Sequence, residues 1–186
     1  MNVIKTDIEG VVIIEPKIFK DNRGYFYESY NDEEFQNAIG YPLNFVQDNE
    51  SKSSYGVLRG IHFQKGVVSQ AKLVRVTRGK VFDVAVDLRK NSPTYGQWTG
   101  VILSARNRKQ FFIPRGFGHG FVVLSKTAIF QYKCDDFYCK DAEGGIAWND
   151  PTLNINWGIP KGDIILSEKD MKHPTFEEFD KTNEFE

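Results

Sequence analysis

An all-β domain, folded as a sandwich or barrel, is what this sequence of 186 residues predicts, on three observations. Short runs of period-two alternation recur between turn signals along most of the chain. Aromatic residues make up 14% of the composition, Phe alone numbering 15, and aromatic and β-branched side chains favour pleated, half-buried surfaces. No strand-helix-strand alternation of the parallel α/β kind is present.

Taken in order, the runs Val11 to Glu15 and Tyr25 to Tyr30 flank the breaker Asp21-Asn22-Arg23-Gly24. Asn31 is placed to cap a helix, with Glu34 three residues on; Phe35 and Ile39 then share a face, and Gly40 ends it. Lys72 to Thr77 and Val81 to Leu88 are parted by Arg78-Gly79, and Asn91-Ser92-Pro93-Thr94-Tyr95-Gly96 precedes Gly100 to Leu103. Asn107, Pro114-Arg115-Gly116 and Ser125-Lys126 separate the last runs, Gln110 to Pro114, Gly120 to Leu124 and Ala128 to Cys134. A short turn is expected after Ser167, and the charged end from Phe176 to Glu186 reads as a loosely held tail. With no linker, repeat or low-complexity segment, one domain over residues 1–186 is expected, long enough to bury about two thirds of its unfolded surface.

Lys and Arg number 24 against 25 Asp and Glu, so a net charge of -1 offers nothing to a polyanionic partner such as nucleic acid. No apolar run approaches the roughly 20 residues that span a bilayer. Met1-Asn2-Val3-Ile4-Lys5-Thr6-Asp7 lacks the apolar stretch and cleavage site of a signal peptide, which makes a cytoplasmic location the expectation. Cys134 and Cys139 fit that compartment, and no second cysteine pair accompanies them to build a structural zinc site.

In a half-buried strand the informative residue is a charged one in phase with the apolar set. Lys72 shares a face with Val74 and Val76, so it either sits near a strand end and snorkels out or points into the interior. Tyr132 is in phase with Ala128, Phe130 and Cys134, where its ring is buried and its hydroxyl needs a partner. His62 lies in Arg59-Gly60-Ile61-His62-Phe63-Gln64, where Gly60 allows close backbone approach. His119 follows the turn Pro114-Arg115-Gly116-Phe117-Gly118, and two histidines on separate strands serve either as metal ligands or as acid-base and anion-binding groups. A metal-binding small barrel is expected to carry a close His-x-His pair with a Glu following, whereas positions 60 and 64 are Gly60 and Gln64; no metal is expected. Asp170 could orient an imidazole, and Arg23, Arg59 and Lys72 could hold a diphosphate, each against the alternative of a solvated salt bridge.

Nine strings in one order resemble the dTDP-4-dehydrorhamnose 3,5-epimerase family. They are Asp21-Asn22-Arg23-Gly24-Tyr25-Phe26-Tyr27-Glu28-Ser29, Gln47-Asp48-Asn49, Leu58 to Gln64, Ala71 to Val76, Val81 to Arg89, Ser92 to Gly96, Pro114 to Phe121, Gln131-Tyr132-Lys133 and Trp148 to Pro151, and the similarity extends from about Pro16 to about Asp170. Ser69 stands where proline is expected, and Arg115 is atypical in its turn. The resemblance implies a cupin-type jelly-roll barrel with a few short helices, a homodimer with exchanged N-terminal strands, a dTDP-bound 4-keto-6-deoxyhexose as substrate, and no cofactor. It implies His62 as proton acceptor with Asp170 orienting it, Tyr132 as proton donor, and Lys72 as the cation beside the substrate ketone. It also implies nucleotide-sugar contacts from Arg23, Glu28, Gln47, Asn49, Arg59, His119, Glu143 and Lys169, with Tyr138 stacking near the thymine.

The residue types suit that chemistry. A ketone at C4 acidifies the hydrogens on C3 and C5, removal of either leaves an enolate, and inversion needs a base on one face of the ring and an acid on the other. The expected activity is therefore epimerisation of dTDP-4-dehydro-6-deoxy-D-glucose at C3 and C5 to dTDP-4-dehydro-β-L-rhamnose, for dTDP-L-rhamnose and cell-surface glycans. The alternatives are an epimerase acting at only one of the two carbons, a non-catalytic nucleotide-sugar-binding jelly roll, and a metal-dependent cupin enzyme.

Overall fold

The computed structural model describes residues 1–182. A six-stranded antiparallel sheet runs in the order β1 (Asn2–Lys5), β2 (Val12–Glu15), β10 (Gln110–Ile113), β7 (Lys72–Arg78), β12 (Thr127–Cys134), β5 (Gln47–Ser54). A five-stranded sheet runs β13 (Glu143–Gly145), β6 (Leu58–Gln64), β11 (Phe117–Val123), β8 (Lys80–Asp87), β9 (Trp98–Ser104). A separate hairpin pairs β3 (Phe19–Asp21) with β4 (Gly24–Phe26). Between the sheets lies one apolar cluster, in which Val74, Val76, Phe111, Ile113 and Phe130 of the first meet Val81, Ala85, Leu103, Phe117 and Phe121 of the second. This is the jelly-roll arrangement the resemblance implies.

Both outer faces are covered as well. Helix α1 (Asp32–Ile39) lays Phe35 over Val12, Ile14, Leu73 and Phe112. Its ends are those the sequence predicts: the Asn31 side chain accepts a hydrogen bond from the Glu34 N–H, and Gly40 closes the helix at φ 86°. The other sheet is covered by Ile146, Leu153, Trp157, Phe176 and Phe179. No helix among the described residues is long and apolar enough to cross a membrane.

The structure extends and corrects the predicted elements. The run expected from Tyr25 to Tyr30 is strand only as far as Phe26. Among the described residues, five strands lie outside the predicted runs: β1, the short β3 and β13, β5, whose sequence Gln-Asp-Asn-Glu-Ser-Lys-Ser-Ser is polar throughout at a sheet edge, and β6, whose phase is broken at Gly60. The expectation of a loosely held tail from Phe176 is overturned for the part described. Phe176–Thr182 forms helix α2, with Phe176 and Phe179 only 8% and 4% exposed, and the Phe179 ring meets Phe63 edge-on at 5.2 Å. Two aromatic anchors three residues apart on one face outweigh the charged residues around them; residues 183–186 of the expected tail lie outside the described residues. Phe179→Ala is accordingly expected to cost about 3–5 kcal/mol in denaturant unfolding, whereas a loosely held tail predicts a change within about 0.5 kcal/mol.

Candidate active site

The site is built where the apolar filling between the sheets gives way to polar side chains. Along β6, regular alternation would put Arg59 and His62 on opposite faces. The register prevents this: Arg59 pairs with Phe121 and His62 with His119, so three steps on β6 oppose two on β11, the signature of a bulge. Leu58, Ile61 and Phe63 consequently all face the outer cluster, while Arg59 and His62 share the inner wall. A Cβ at Gly60 would run into the Gly120 backbone and the His119 carbonyl, so only glycine fits this crossing.

His62 Nε2 lies 2.5 Å from Asp170 Oδ1. Asp170 opens a 3₁₀ turn, Asp170–Lys172, and is held by the Ser167 hydroxyl, which donates to Oδ2 at 2.7 Å. Burial acts to raise the Asp170 carboxyl, but the imidazoles of His173 and His62 and the Ser167 hydroxyl outweigh it and hold the group ionised, well below the usual carboxylate range. An ionised carboxylate can only accept, so Nε2 of His62 carries the hydrogen and the neutral ring keeps its lone pair on Nδ1. Burial pulls the His62 pKa down and outweighs Asp170, and the charges of Lys72 and His173 push the same way.

From the opposite sheet come Lys72 and Tyr132. Lys72 is on the inner face of β7, in line with Val74 and Val76, and its ammonium has no hydrogen-bond or ion-pair partner among the described residues. The interior placement is thus the one realised. Burial lowers its pKa, opposed by Cys134, Asp83 and Glu143. Cys134, directly across from Lys72, is pushed up to about 11 by burial, so its neutral thiol is no ion-pair partner for the ammonium. Tyr132 packs beside Phe130 with its hydroxyl unbonded among the described residues, and burial raises its pKa, keeping it protonated. The sequence asked for a partner for that hydroxyl; the described residues supply none.

Around these four, Glu143 binds Lys169 and accepts from the Tyr138 hydroxyl at 2.7 Å. Gln47 accepts from the Tyr138 N–H at 3.2 Å and donates to Asn49 at 3.1 Å. Arg59 donates to the Ser53 hydroxyl at 3.3 Å, leaving most of its guanidinium donors available. His119 is buried and stacked on Phe130. Its Nε2 lies 3.0 Å from Asp83 Oδ1. Arg23 and Glu28 do not join them. Arg23 sits on the β3–β4 turn against Asp21, and Glu28 meets Asn31.

Three residues of this environment went unread. Asp83 is fully buried, in phase with Val81 and Ala85, so the test that singles out Lys72 would have found it too. Ser167 and His173 flank the turn that carries Asp170, where no periodicity points to them.

The family model described as dTDP-4-dehydrorhamnose 3,5-epimerase matches residues 5–178. The chain belongs to the dTDP-4-dehydrorhamnose 3,5-epimerase family. It is 54% identical over 178 residues to the Escherichia coli dTDP-4-dehydrorhamnose 3,5-epimerase, covering 96% of each chain. Among solved structures, the Elizabethkingia anophelis dTDP-4-dehydrorhamnose 3,5-epimerase superposes with a TM-score of 0.93 at 57% identity, covering 96% of this chain and 97% of that one. The Legionella pneumophila dTDP-6-deoxy-D-glucose-3,5-epimerase in complex with dTDP-4-keto-L-rhamnose gives 0.90 at 50% identity, covering 94% and 92%. Both departures from the family pattern are accommodated locally. Ser69 has a proline-like φ of -54° and its hydroxyl accepts from the Gly116 N–H, while Arg115 ties its turn to Asp135 at 2.7 Å.

The charge balance around the imidazole is directly measurable. Histidine NMR titration is expected to place His62 below the ordinary value of about 6.5. Asp170→Asn should lower it further, since Asp170 is what opposes burial; an upward move would contradict the pairing.

Proposed function

We propose that the chain is a cofactor-independent epimerase that inverts C3 and C5 of dTDP-4-dehydro-6-deoxy-D-glucose, giving dTDP-4-dehydro-β-L-rhamnose for dTDP-L-rhamnose synthesis. The observation that carries this is the division of labour between the two walls. A carboxylate-oriented imidazole, His62 on Asp170, stands on one sheet, and on the other a tyrosine hydroxyl, Tyr132, and an ammonium, Lys72, neither with a hydrogen-bond or ion-pair partner among the described residues.

Each step uses a group already poised for it. His62 Nδ1, which makes no hydrogen bond among the described residues, takes the proton from C3 or C5, and Asp170 stabilises the imidazolium that results. The electron pair moves onto the C4 oxygen, where Lys72 meets the developing charge; with no ion-pair partner among the described residues, the ammonium feels Asp83 and Glu143 only without contact and is available to that atom. Tyr132, kept protonated by burial, returns a proton to the carbon from the other face. Arg59, Lys169, Gln47, Asn49, His119, Glu143 and Tyr138 hold the nucleotide-sugar around the ring.

Arg23 and Glu28 complete the site on a homodimer with exchanged N-terminal strands. Supporting this, the β3–β4 hairpin exposes Phe19, Tyr25 and Phe26 at 51%, 58% and 66%, an apolar surface suited to burial against a second copy. A cytoplasmic location agrees with two free cysteines, Cys134 and Cys139.

Proton NMR of the keto sugar with the protein in deuterated water tests the reaction. Deuterium is expected at both C3 and C5 of an L-configured product; exchange at one carbon alone would mark a single-site epimerase, and none at either would leave a binding module. His62→Ala should abolish exchange, and Lys72→Met should slow it about 10²- to 10³-fold. Tyr132→Phe is expected to lose inversion while His62-dependent exchange persists.

The dimer has its own test, subunit complementation. His62→Ala and Arg23→Ala homodimers should each be impaired, and mixing them with subunit exchange should restore activity through the hybrid site that carries neither lesion. Failure to recover would place Arg23 in its own subunit's site.

A further inference from the structure

His173 is a buried imidazole that the proposed reaction does not use. It follows the turn that begins at Asp170, and its side chain is only 9% exposed. Among the described residues its Nε2 has no hydrogen-bond partner, and it lies 3.6 Å from Asp170 Oδ1, beyond hydrogen-bond distance. The ring is wedged edge-on against His62, with centroids 5.5 Å apart, and seated on Gly145, where a Cβ would collide with it. A buried ring nitrogen left without a partner calls for explanation, because the cost of desolvating it is not recovered.

Its neighbours supply one. His62, Asp170 and His173 each offer a ligand atom within 4.8 Å of the other two. Ligands on a tetrahedral zinc ion at about 2.0–2.1 Å stand roughly 3.3 Å apart, close to the 3.6 Å between Asp170 Oδ1 and His173 Nε2. The 2.5 Å between His62 and Asp170 is the spacing of a hydrogen bond and must open by under about 1 Å. His62, 31% exposed, is the least enclosed of the three side chains and the one free to shift. Two imidazoles and a carboxylate, with the fourth position left to water, form the donor set of open zinc sites and are too rich in nitrogen for calcium or magnesium.

We propose that His62, Asp170 and His173 form a binding site for a zinc-class divalent transition-metal ion, and that an ion bound there switches off the base. The ion would take the His62 Nε2 lone pair, and the hydrogen displaced from Nε2 would be returned through solvent to Nδ1. The neutral ring then carries its hydrogen on Nδ1, so the nitrogen that accepts the substrate proton loses its lone pair. The metal is thus an inhibitor, not a cofactor, and because it lies behind the ring it lowers kcat more than it raises KM. The binding half stands on the geometry alone; the inhibitory half rests on the function proposed above.

Calorimetric titration of the metal-stripped full chain with ZnCl2 separates the two. One equivalent should bind, and His173→Gln, which retains a polar side chain of similar reach, should weaken binding about 10- to 100-fold. Cobalt(II) titrated into the wild-type chain should give the visible absorption of a tetrahedral site with nitrogen ligands, a readout that needs no substitution. Zinc should suppress turnover of the wild type, reversibly on chelation, and the ratio of activity without and with zinc should fall toward one in His173→Gln. Unchanged zinc affinity in His173→Gln, or a cobalt spectrum of octahedral aqueous type, would overturn the site. Stoichiometric binding with undiminished turnover would keep the site and overturn the inhibition. A chain inactive on the keto sugar yet binding zinc through His173 would count against the proposed function only.

Discussion

One extra residue in β6 governs the geometry of this protein. A strand has a side-chain period of two, so a single-residue slip exchanges its faces. Gly60 places that slip between Arg59 and His62, and both turn inward while Leu58, Ile61 and Phe63 stay in the outer core. The constraint is steric: β6 and β11 cross so closely that the glycine faces the Gly120 backbone directly. Phase restored on either side lets one strand contribute a cation and an imidazole to the same cavity without surrendering its apolar face.

The second governing feature is electrostatic. The cavity and its walls hold an ammonium, two carboxylates and three imidazoles, with Asp83, Asp170 and His119 buried and the others partly so, and each charge is costly unless it is matched. The matching is selective. Asp83 is spent on His119, and Asp170 on His62 and Ser167. Asp87, at the end of the same strand as Asp83, takes Arg89, Ser92 and Thr94 and pins the loop that follows β8. Of the charged groups in this set, only the Lys72 ammonium has neither a hydrogen-bonded nor an ion-pair partner among the described residues; Nε2 of the His173 imidazole is likewise without a hydrogen bond. An unpaired buried cation is unfavourable in the resting protein and most useful when an anion forms beside it, which links a local deficit in stability to the proposed enolate.

Much of this was legible in the sequence, for reasons particular residues make plain. Lys72 and Tyr132 betray themselves because a regular strand makes a polar residue in the apolar phase conspicuous, and the α1 caps because Asn31, Glu34 and Gly40 act locally. The same rule reaches Asp83 once it is applied to β8. It fails at β5, a polar edge strand whose place is set by pairing with β12, and at β6, where the bulge hides the periodicity. The pairing of His62 with Asp170 spans 108 residues and joins a strand to a turn, so no local pattern encodes it; the family resemblance supplied it. Helix α2 shows the opposite error, since net charge at a chain end is weak evidence when two phenylalanines share one face.

A double-sheet sandwich is suited to inverting a carbon for a reason that lies in its dimensions. Facing sheets pack about 10 Å apart, which leaves room for a sugar ring flanked by one side chain from each. Groups from a single sheet would approach the ring from one side, and a proton removed and returned from that side gives exchange without inversion. Here the candidate base is rooted in the five-stranded sheet and the candidate acid in the six-stranded sheet. Their separation is therefore maintained by the entire apolar core between Val76, Phe130, Phe111 and their counterparts, not by any local contact. Both C3 and C5 adjoin the same ketone, so one such pair with one cation on the acid's sheet serves either carbon once the ring reorients, and no second set of catalytic groups is required.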